Sequence, residues 1–154
     1  MARSRHTSES DVLDDLFCFD LYAASRALTR RYRPLLAEHG LTYPQYLVLV
    51  VLGGTGPTSI KELAGTLRLD HATLTPMLRR MEDAGLLARD RDRHDARVVR
   101  LALTEHAVRI HAAFDQIQCQ IGEDLGLAPE EARRLQLMLR GVATSVERAL
   151  TPPD

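Results

Sequence analysis

The stretch from residue 58 to residue 104 constrains the fold most strongly, because two short amphipathic helices and a charged hairpin follow one another with little chain between them. Ser59 and Glu62 have the spacing of a capping box, which predicts the start of a first helix. Asp70 is suited to cap a second helix, and Gly85 is suited to end it in a left-handed conformation. Two short helices joined by a tight turn are typical of a helix-turn-helix, a module that places its second helix on DNA.

The second of these helices has two faces of different chemistry. Helical spacing puts Leu74, Met77, Leu78 and Met81 on an apolar face. The opposite face is polar and basic, with His71, Thr73, Thr75, Arg79 and Arg80. We expect the histidine and the two threonines to approach base edges. We expect the two arginines to contact phosphates, which position a protein on DNA without specifying sequence.

The segment that follows the second helix predicts a β-hairpin with a charged tip. Residues 86–89 and 98–103 show partial strand alternation, and residues 90–97 between them are densely charged. A hairpin directly behind a helix-turn-helix is a wing, and its arginines can enter the minor groove of DNA, where the negative potential is enhanced. These arginines are Arg91, Arg93 and Arg97. The alternative is a solvated turn whose Asp and Arg residues pair with each other, but the position behind two short helices favours the wing.

Apolar helical patterns occupy both ends of the chain, at residues 9–39 and 104–150, outside a winged helix-turn-helix lobe expected at residues 43–103. Their apolar surface exceeds what a lobe of that size can cover. We therefore expect these N- and C-terminal helices to form a dimerisation domain, in a single domain over residues 1–154 that is mainly α with a small β wing. Packing within one chain is the alternative. Two-fold symmetry would place two recognition helices about one DNA turn apart on a pseudo-palindromic operator.

Proline and glycine set the helix boundaries that we expect outside the two short helices. Pro34 predicts a kink or a break in the first helix. A second helix is expected from residue 43 or 44 to about residue 52, and residues 53–57 are expected to form a loop. Thr104 can cap a helix that continues to about Gly122, and Pro129 is suited to begin the last helix.

Composition argues for a cytoplasmic protein without a membrane span. The chain of 154 residues has no run of about 18 apolar residues, and its N-terminus lacks the apolar core of a signal peptide. The net charge of −1 does not favour nucleic-acid binding, but the charge is unevenly distributed. Residues 79–100 hold seven Arg against five acidic residues, whereas residues 8–24 hold five acidic residues and no Lys or Arg. The local sign of charge therefore still permits a DNA-binding surface.

The two cysteines, Cys18 and Cys119, form no Cys-x-x-Cys motif, and the six His residues show no metal-ligand spacing. We therefore expect neither a metal site nor a cofactor. Cysteine is often a small buried hydrophobe, so Cys18 considered alone does not indicate a reactive thiol.

A set of short motifs runs along the predicted lobe: Leu63-Ala64, Leu69-Asp70, Thr73-Leu74-Thr75-Pro76-Met77-Leu78, Met81-Glu82, Gly85-Leu86 and the wing at residues 92–97. A second set lies nearer the N-terminus: Leu16-Phe17-Cys18-Phe19, Leu21-Tyr22, Tyr32, Pro34-Leu35-Leu36 and Leu41-Thr42-Tyr43-Pro44-Gln45-Tyr46-Leu47. With the first set the chain resembles the MarR family of winged helix-turn-helix repressors over nearly its full length. With the second set it resembles the OhrR subfamily, whose members sense organic hydroperoxides.

The resemblance implies a site for oxidation. It implies that an organic hydroperoxide oxidises Cys18 and that the operator is then released. It also implies that Tyr32 and Tyr43 of the partner subunit lie near the sulfur, where phenol donors can stabilise a thiolate. Tyr22, one helical turn after Cys18, is expected to line the same pocket. Cys119 is the candidate for a resolving thiol, which would condense with the sulfenic acid of the other subunit.

These observations predict a homodimeric repressor that binds double-stranded DNA and responds to an organic hydroperoxide, without enzymatic activity. One alternative is a MarR-like repressor that senses a small phenolic ligand, with Cys18 in a structural role. An alternative of another class is a thiol peroxidase that uses Cys18 and Cys119, in which the helix-turn-helix and the wing would have no function.

Overall fold

The computed structural model describes residue 13, residues 15–91 and residues 99–150, with only the backbone described at residue 91. Seven helices and three strands lie in this part of the chain: α1 (Phe17–Ala37), α2 (Tyr43–Thr55), β1 (Thr58–Ser59), α3 (Ile60–Leu67), α4 (His71–Asp83), β2 (Leu87–Arg91), β3 (Val99–Leu103), α5 (Glu105–His111), α6 (Phe114–Leu125) and α7 (Pro129–Leu150). The predicted fold class, mainly α with a small β wing, is confirmed. The chain forms two compact units, one ending at Phe114 and the other beginning at Asp115.

The helix α1 continues through Pro34, where the sequence predicted a kink or a break. Tyr32 and Leu36, on either side of the proline, are both buried, and this packing keeps the two flanking turns in one helix. Gly40, with a φ of 67°, forms the turn that follows the helix. The prediction of a helix from residue 9 was wrong at residues 13, 15 and 16, which precede the start of α1 at Phe17, and residues 9–12 and 14 lie outside the described residues.

The helix α2 begins with a capping box, in which the Thr42 backbone N–H donates to the Gln45 side chain over 2.9 Å. It extends to Thr55, so the prediction of a loop beginning at residue 53 was wrong. Gly56 ends the helix with a φ of 74°, a conformation that only glycine adopts without strain. The buried side chains of α2 are Tyr46, Val48, Leu49 and Leu52, so this helix lies in the core.

The three strands form one antiparallel sheet with the order β1-β3-β2. Strands β2 and β3 are the predicted hairpin, paired from Leu87 opposite Leu103 to Arg91 opposite Val99. The two-residue strand β1 was not predicted, because nothing local marks so short a segment as a strand. It pairs with β3 at Thr58 and Leu101, and it therefore joins the start of the helix-turn-helix to the base of the wing.

The predicted helix from residue 104 to residue 122 is interrupted. Thr104 caps α5, as predicted, by accepting a hydrogen bond from the Ala107 N–H over 3.2 Å. The N–H of Ala113 then bonds to the carbonyl of Ile110, three residues back, over 3.0 Å. This tighter spacing ends α5, and α6 begins at Phe114. The last helix, α7, begins at Pro129 as predicted.

The core of the first unit lies where α2, α3, α4 and β3 meet. Nine large side chains in this unit are almost completely buried: Leu36, Tyr46, Val48, Leu49, Leu63, Leu74, Leu78, Met81 and Leu101. Truncation of one such leucine to alanine typically costs about 2–5 kcal/mol, so this core fixes the positions of the helix-turn-helix and the wing. In the described part of the chain no helix is long and apolar enough to cross a membrane.

Candidate DNA-binding surface and thiol site

The N-terminus of α4 is fixed by its cap. The Asp70 carboxylate accepts a hydrogen bond from the Thr73 N–H over 2.6 Å and another from the Thr73 hydroxyl over 3.0 Å. The bond from the backbone N–H, followed by the bond from the hydroxyl, holds the pKa of Asp70 below its usual value. The carboxylate is therefore ionised at neutral pH, where it also complements the positive end of the helix dipole. The predicted cap is thus confirmed.

The helix α4 divides into the two predicted faces. Leu74, Met77, Leu78 and Met81 are buried. His71, Thr73, Thr75, Arg79 and Arg80 are all exposed. Pro76 lies within the helix, which continues to Asp83. The polar and basic side chains are thus displayed along one rigid element whose opposite face is anchored in the core.

The Thr73 side chain takes part in the cap of α4, which the sequence did not predict. The Thr73 hydroxyl donates to Asp70, and its lone pairs are left as acceptors for a base or a water. Thr75 and His71, which the same helix exposes, have no such part in the cap of α4.

An ion pair joins the hairpin to the end of α4. The Arg89 Nε in β2 donates to the Glu82 carboxylate over 2.6 Å. Gly85 lies between the two elements with a φ of 69°, as predicted for the end of the helix. The ion pair was not predicted, although both residues flank this turn in the sequence. It fixes the direction in which the hairpin leaves the recognition helix.

A second set of contacts joins the hairpin to the start of α3. Arg100 in β3 donates to the Pro57 carbonyl over 3.2 Å and lies 3.7 Å from the Glu62 carboxylate. Glu62 also completes the predicted capping box by accepting from the Ser59 N–H over 2.9 Å. Both ends of the helix-turn-helix are therefore linked to the hairpin.

The tip of the hairpin lies outside the described residues. Arg93 and Arg97, both predicted to contact DNA, fall in this tip, and so does the rest of the loop from residue 92 to residue 98. Arg91 is the last residue of β2, and its backbone pairs with Val99.

Cys18 lies in the first turn of α1 and is exposed. Tyr22, one turn further along, is 55% exposed, and the neighbouring Phe17 is 61% exposed. A thiol that a peroxide must reach has to be accessible, and Cys18 meets that requirement. Apolar and aromatic surface next to it suits a hydroperoxide with an organic substituent.

Tyr32 and Tyr43 lie together, with ring centroids 4.8 Å apart. Tyr46 completes the cluster, 5.5 Å from Tyr32 and 6.1 Å from Tyr43. Burial, and then the neighbouring Tyr46, raise the pKa of Tyr43, so this phenol keeps its proton and remains a hydrogen-bond donor at neutral pH. Tyr46 was not among the predicted site residues, although it belongs to the same short motif.

Within one chain, the tyrosine cluster lies far from Cys18. Cys18 and Tyr32 are 14 residues apart in the continuous helix α1, a rise of about 21 Å at about 1.5 Å per residue. Neither side chain is long enough to span that distance. Any contact between Cys18 and Tyr32 must therefore join two copies of the chain.

The second cysteine and one cavity lie apart from the residues described above. Cys119 is exposed in α6, in the second unit. A cavity of about 330 Å³ in the first unit is lined mainly by apolar residues of α2, β3 and α5, with His111 at its wall. Among the residues that the structure describes, no three His, Cys, Asp or Glu side chains are grouped as a metal site requires.

Comparison with known proteins agrees with this geometry. Residues 41–99 match the model of the MarR family. The organic hydroperoxide resistance transcriptional regulator of Bacillus subtilis (strain 168) is 43% identical over 120 residues, which cover 73% of this chain and 82% of that protein. The HTH-type transcriptional regulator TtmR of Methylorubrum extorquens (strain PA1) is 45% identical over 123 residues, 80% of this chain; the chain spans 63% of the length of TtmR.

A solved structure shows the same architecture. The crystal structure of overoxidized AbfR bound to DNA superposes with a TM-score of 0.70 at 30% identity, covering 90% of this chain and 97% of that chain. AbfR comes from Staphylococcus epidermidis, and structures of its reduced, DNA-bound form and of its disulfide form are similar to this chain as well.

The fold and the exposed face of α4 define a winged helix-turn-helix protein. The chain belongs to the MarR family, whose named relatives are transcriptional regulators and not enzymes.

Proposed function

We propose that this protein is a homodimeric, DNA-binding repressor that senses organic hydroperoxides through oxidation of Cys18. The observation that carries the proposal is the exposed thiol of Cys18 in the first turn of α1, in a chain 43% identical to a regulator of organic hydroperoxide resistance.

The DNA-binding part rests on α4 and the wing. The exposed face of α4 enters the major groove, where His71, Thr73 and Thr75 approach base edges. Arg79 and Arg80 contact phosphates, and the wing arginines Arg91, Arg93 and Arg97 reach the minor groove or its flanking phosphates. The contacts of Arg89 and Arg100 support this arrangement, because they tie the hairpin to both helices of the motif.

The dimer rests on exposed apolar surface at both ends of the chain. In α1 and just before it, Leu16, Phe17, Phe19, Leu21 and Tyr22 are exposed, and in α7 so are Leu135, Leu137, Met138, Leu139, Val146 and Leu150. Large apolar side chains exposed along a helix often mark a surface that binds a partner. A second copy covers it, and brings the Tyr32 and Tyr43 of one subunit to the Cys18 of the other.

The chemistry begins with the Cys18 thiolate. The sulfur attacks one oxygen of the peroxide, an S–O bond forms, the O–O bond breaks, and the alkoxide leaves as an alcohol after taking a proton. Sulfur loses two electrons and the peroxide gains them, which leaves a sulfenic acid on Cys18. Phenol donors at the sulfur stabilise the thiolate before the reaction. Tyr43 can donate because its raised pKa keeps it protonated.

The sulfenic acid then changes the dimer. Condensation with the Cys119 thiol of the other subunit forms an S–S bond and releases water. Either product replaces a small thiol with a larger or tethered group between the terminal helices. The spacing of the two recognition helices changes and no longer matches the fixed spacing of the two half-sites on DNA. AbfR, solved in a reduced form on DNA and in a disulfide form, supports redox chemistry in a protein of this fold.

Gel-shift binding to the DNA upstream of the protein's own gene tests the proposal. Wild-type protein should bind when reduced, release the DNA after treatment with cumene hydroperoxide, and bind again after reduction by dithiothreitol. Cys18→Ser should bind equally well and stay bound in the peroxide. The matched control, Cys119→Ser, should still respond, because the first oxidation occurs at Cys18. Release of the Cys18→Ser variant at the wild-type peroxide concentration would show that the sensor has been misassigned.

Thiol labelling separates this function from the two alternatives. If peroxide yields no sulfenate and no disulfide on Cys18, while a phenolic acid releases the DNA, the protein senses a ligand instead. If the protein turns over cumene hydroperoxide with a thiol reductant many times faster than that reductant restores DNA binding, it is a peroxidase. A sensor reacts about once per subunit until it is reduced.

A further inference from the structure

Arg26, a charged residue outside the predicted site, contacts Tyr22 in the preceding turn of α1. The Arg26 guanidinium donates from NH1 to the Tyr22 hydroxyl oxygen over 2.7 Å. The central carbon of this guanidinium, Cζ, lies 5.5 Å from the centroid of the Tyr22 ring, within the range of a cation–π contact. Two interactions therefore hold the cation against a single phenol.

Cys18, Tyr22 and Arg26 follow one another at intervals of four residues in α1. Side chains at this spacing lie on one face of a helix, on consecutive turns. Long side chains in a helix point back towards its N-terminus. Arg26 thus reaches back to Tyr22, as the hydrogen bond shows. By the same rule we expect the Tyr22 side chain to point towards the turn that carries the thiol.

The direction of the hydrogen bond decides what the phenol can do. A guanidinium has only donors, so the Tyr22 oxygen accepts from Arg26 and its own O–H hydrogen is left to donate. A hydrogen bond accepted by a hydroxyl strengthens the bond that the hydroxyl donates. The group one turn towards the N-terminus on this face is the Cys18 sulfur.

We propose that Arg26 is a positioning residue of the thiol site, which orients and polarises the Tyr22 hydroxyl so that it donates to the sulfur of Cys18. The proposal rests on the sensing function proposed above. This relay, from Arg26 through the Tyr22 hydroxyl to the sulfur, favours the thiolate, the form that attacks the peroxide.

The test is the rate at which Cys18 reacts with cumene hydroperoxide, measured from pH 5 to pH 9 by trapping the sulfenic acid. Full-length protein with Cys119→Ser serves as the parent, so that one thiol reacts. Arg26→Gln should lower the rate at pH 7 by about tenfold, the scale of one hydrogen bond to a charged group. It should also move the midpoint of the rate–pH curve upwards, whereas Arg26→Lys should fall between the two.

A double-mutant comparison separates a relay from a direct effect of charge. Tyr22→Phe should slow the reaction by a similar factor, and adding Arg26→Gln to Tyr22→Phe should slow it no further. Arg30→Gln, which removes an exposed arginine one turn further along the helix and two turns from Tyr22, should react as the parent does. All of these side chains are exposed in the chain, and circular dichroism should show equal helix content.

Each outcome bears on one of the two proposals. A parent thiol that does not react with the peroxide overturns the sensing function, and the relay with it. A reactive parent with an equally reactive Arg26→Gln variant overturns the relay and leaves the sensing function intact. A double variant slower than Tyr22→Phe shows that Arg26 acts on the sulfur through space, which also overturns the relay.

Discussion

Arg68 has a backbone conformation that its side chain disfavours. It is the C-cap of α3, with a φ of 54° and a ψ of 41°, and is the only residue other than glycine found at positive φ among those described. The left-handed conformation costs a residue with a β-carbon about 1–2 kcal/mol. Arg68 accepts this cost at the turn between the two helices of the DNA-binding motif, where the chain must reverse within three residues.

Replacing Arg68 tests the cost directly. The free energy of unfolding of Arg68→Gly should exceed that of Arg68→Ala by about 1 kcal/mol. Both variants lose the arginine side chain, but only alanine keeps the β-carbon that disfavours the left-handed conformation. Urea denaturation followed by circular dichroism measures the difference. Equal stabilities of the two variants would mean that the turn carries no backbone strain.

The packing of α5 on α2 requires a glycine. A β-carbon added at Gly53 would overlap the imidazole ring of His111. That ring in turn lies 5.0 Å from the ring of Phe114, which packs on Tyr46 at 4.6 Å. The contact therefore couples α2, which carries two of the clustered tyrosines, to the helix that follows the wing.

The replacement Gly53→Ala should destabilise the protein by about 1–3 kcal/mol, because the added methyl group displaces a partly buried ring. In a His111→Ala background the same change should be neutral or stabilising, since alanine has the higher helix propensity and the overlap is gone. Thermal unfolding of the four proteins measures this non-additivity. Equal effects of Gly53→Ala in both backgrounds would show that His111 is not what excludes a side chain there.

The molecule as a whole exposes its apolar surface where its helices are longest. The helix α7 has 22 residues, all of them described, and none is buried. Met138 is 63% exposed and Leu150 is 78% exposed. This pattern supports the proposed dimer, because an apolar face left in water contributes nothing to stability.

The replacement Met138→Glu should convert the proposed dimer to a monomer without unfolding the chain, because the residue is exposed in a single copy. Loss of the second recognition helix should weaken operator binding by about a hundredfold, the scale of a lost bivalent contact. Sedimentation velocity and fluorescence anisotropy measure the two effects, with Gln136→Glu as the control for added charge. A Met138→Glu protein that remains dimeric would place the dimer contact elsewhere.

The features that the sequence predicted best depend on near neighbours in the chain. Asp70, Ser59 and Thr104 are caps, and each bonds to a backbone group three residues away. The buried and exposed faces of α4 follow from the helical repeat. Periodicity and capping act within one or two turns of a helix, and a sequence displays such relations directly.

Contacts between distant segments were decided by the tertiary structure. Strand β1 exists because Thr58 meets Leu101, and the wing is tied down because Arg100 reaches Pro57, 43 residues away. Pro34 stays within a helix because the flanking Tyr32 and Leu36 are buried. Residue types and their spacing thus determined that this chain has a capped DNA-binding helix and an N-terminal cysteine. Packing between remote segments decided how the wing is held and which tyrosines of α1 and α2 cluster. The continuity of α1 through Pro34 then places this cluster too far from Cys18 of the same chain for contact.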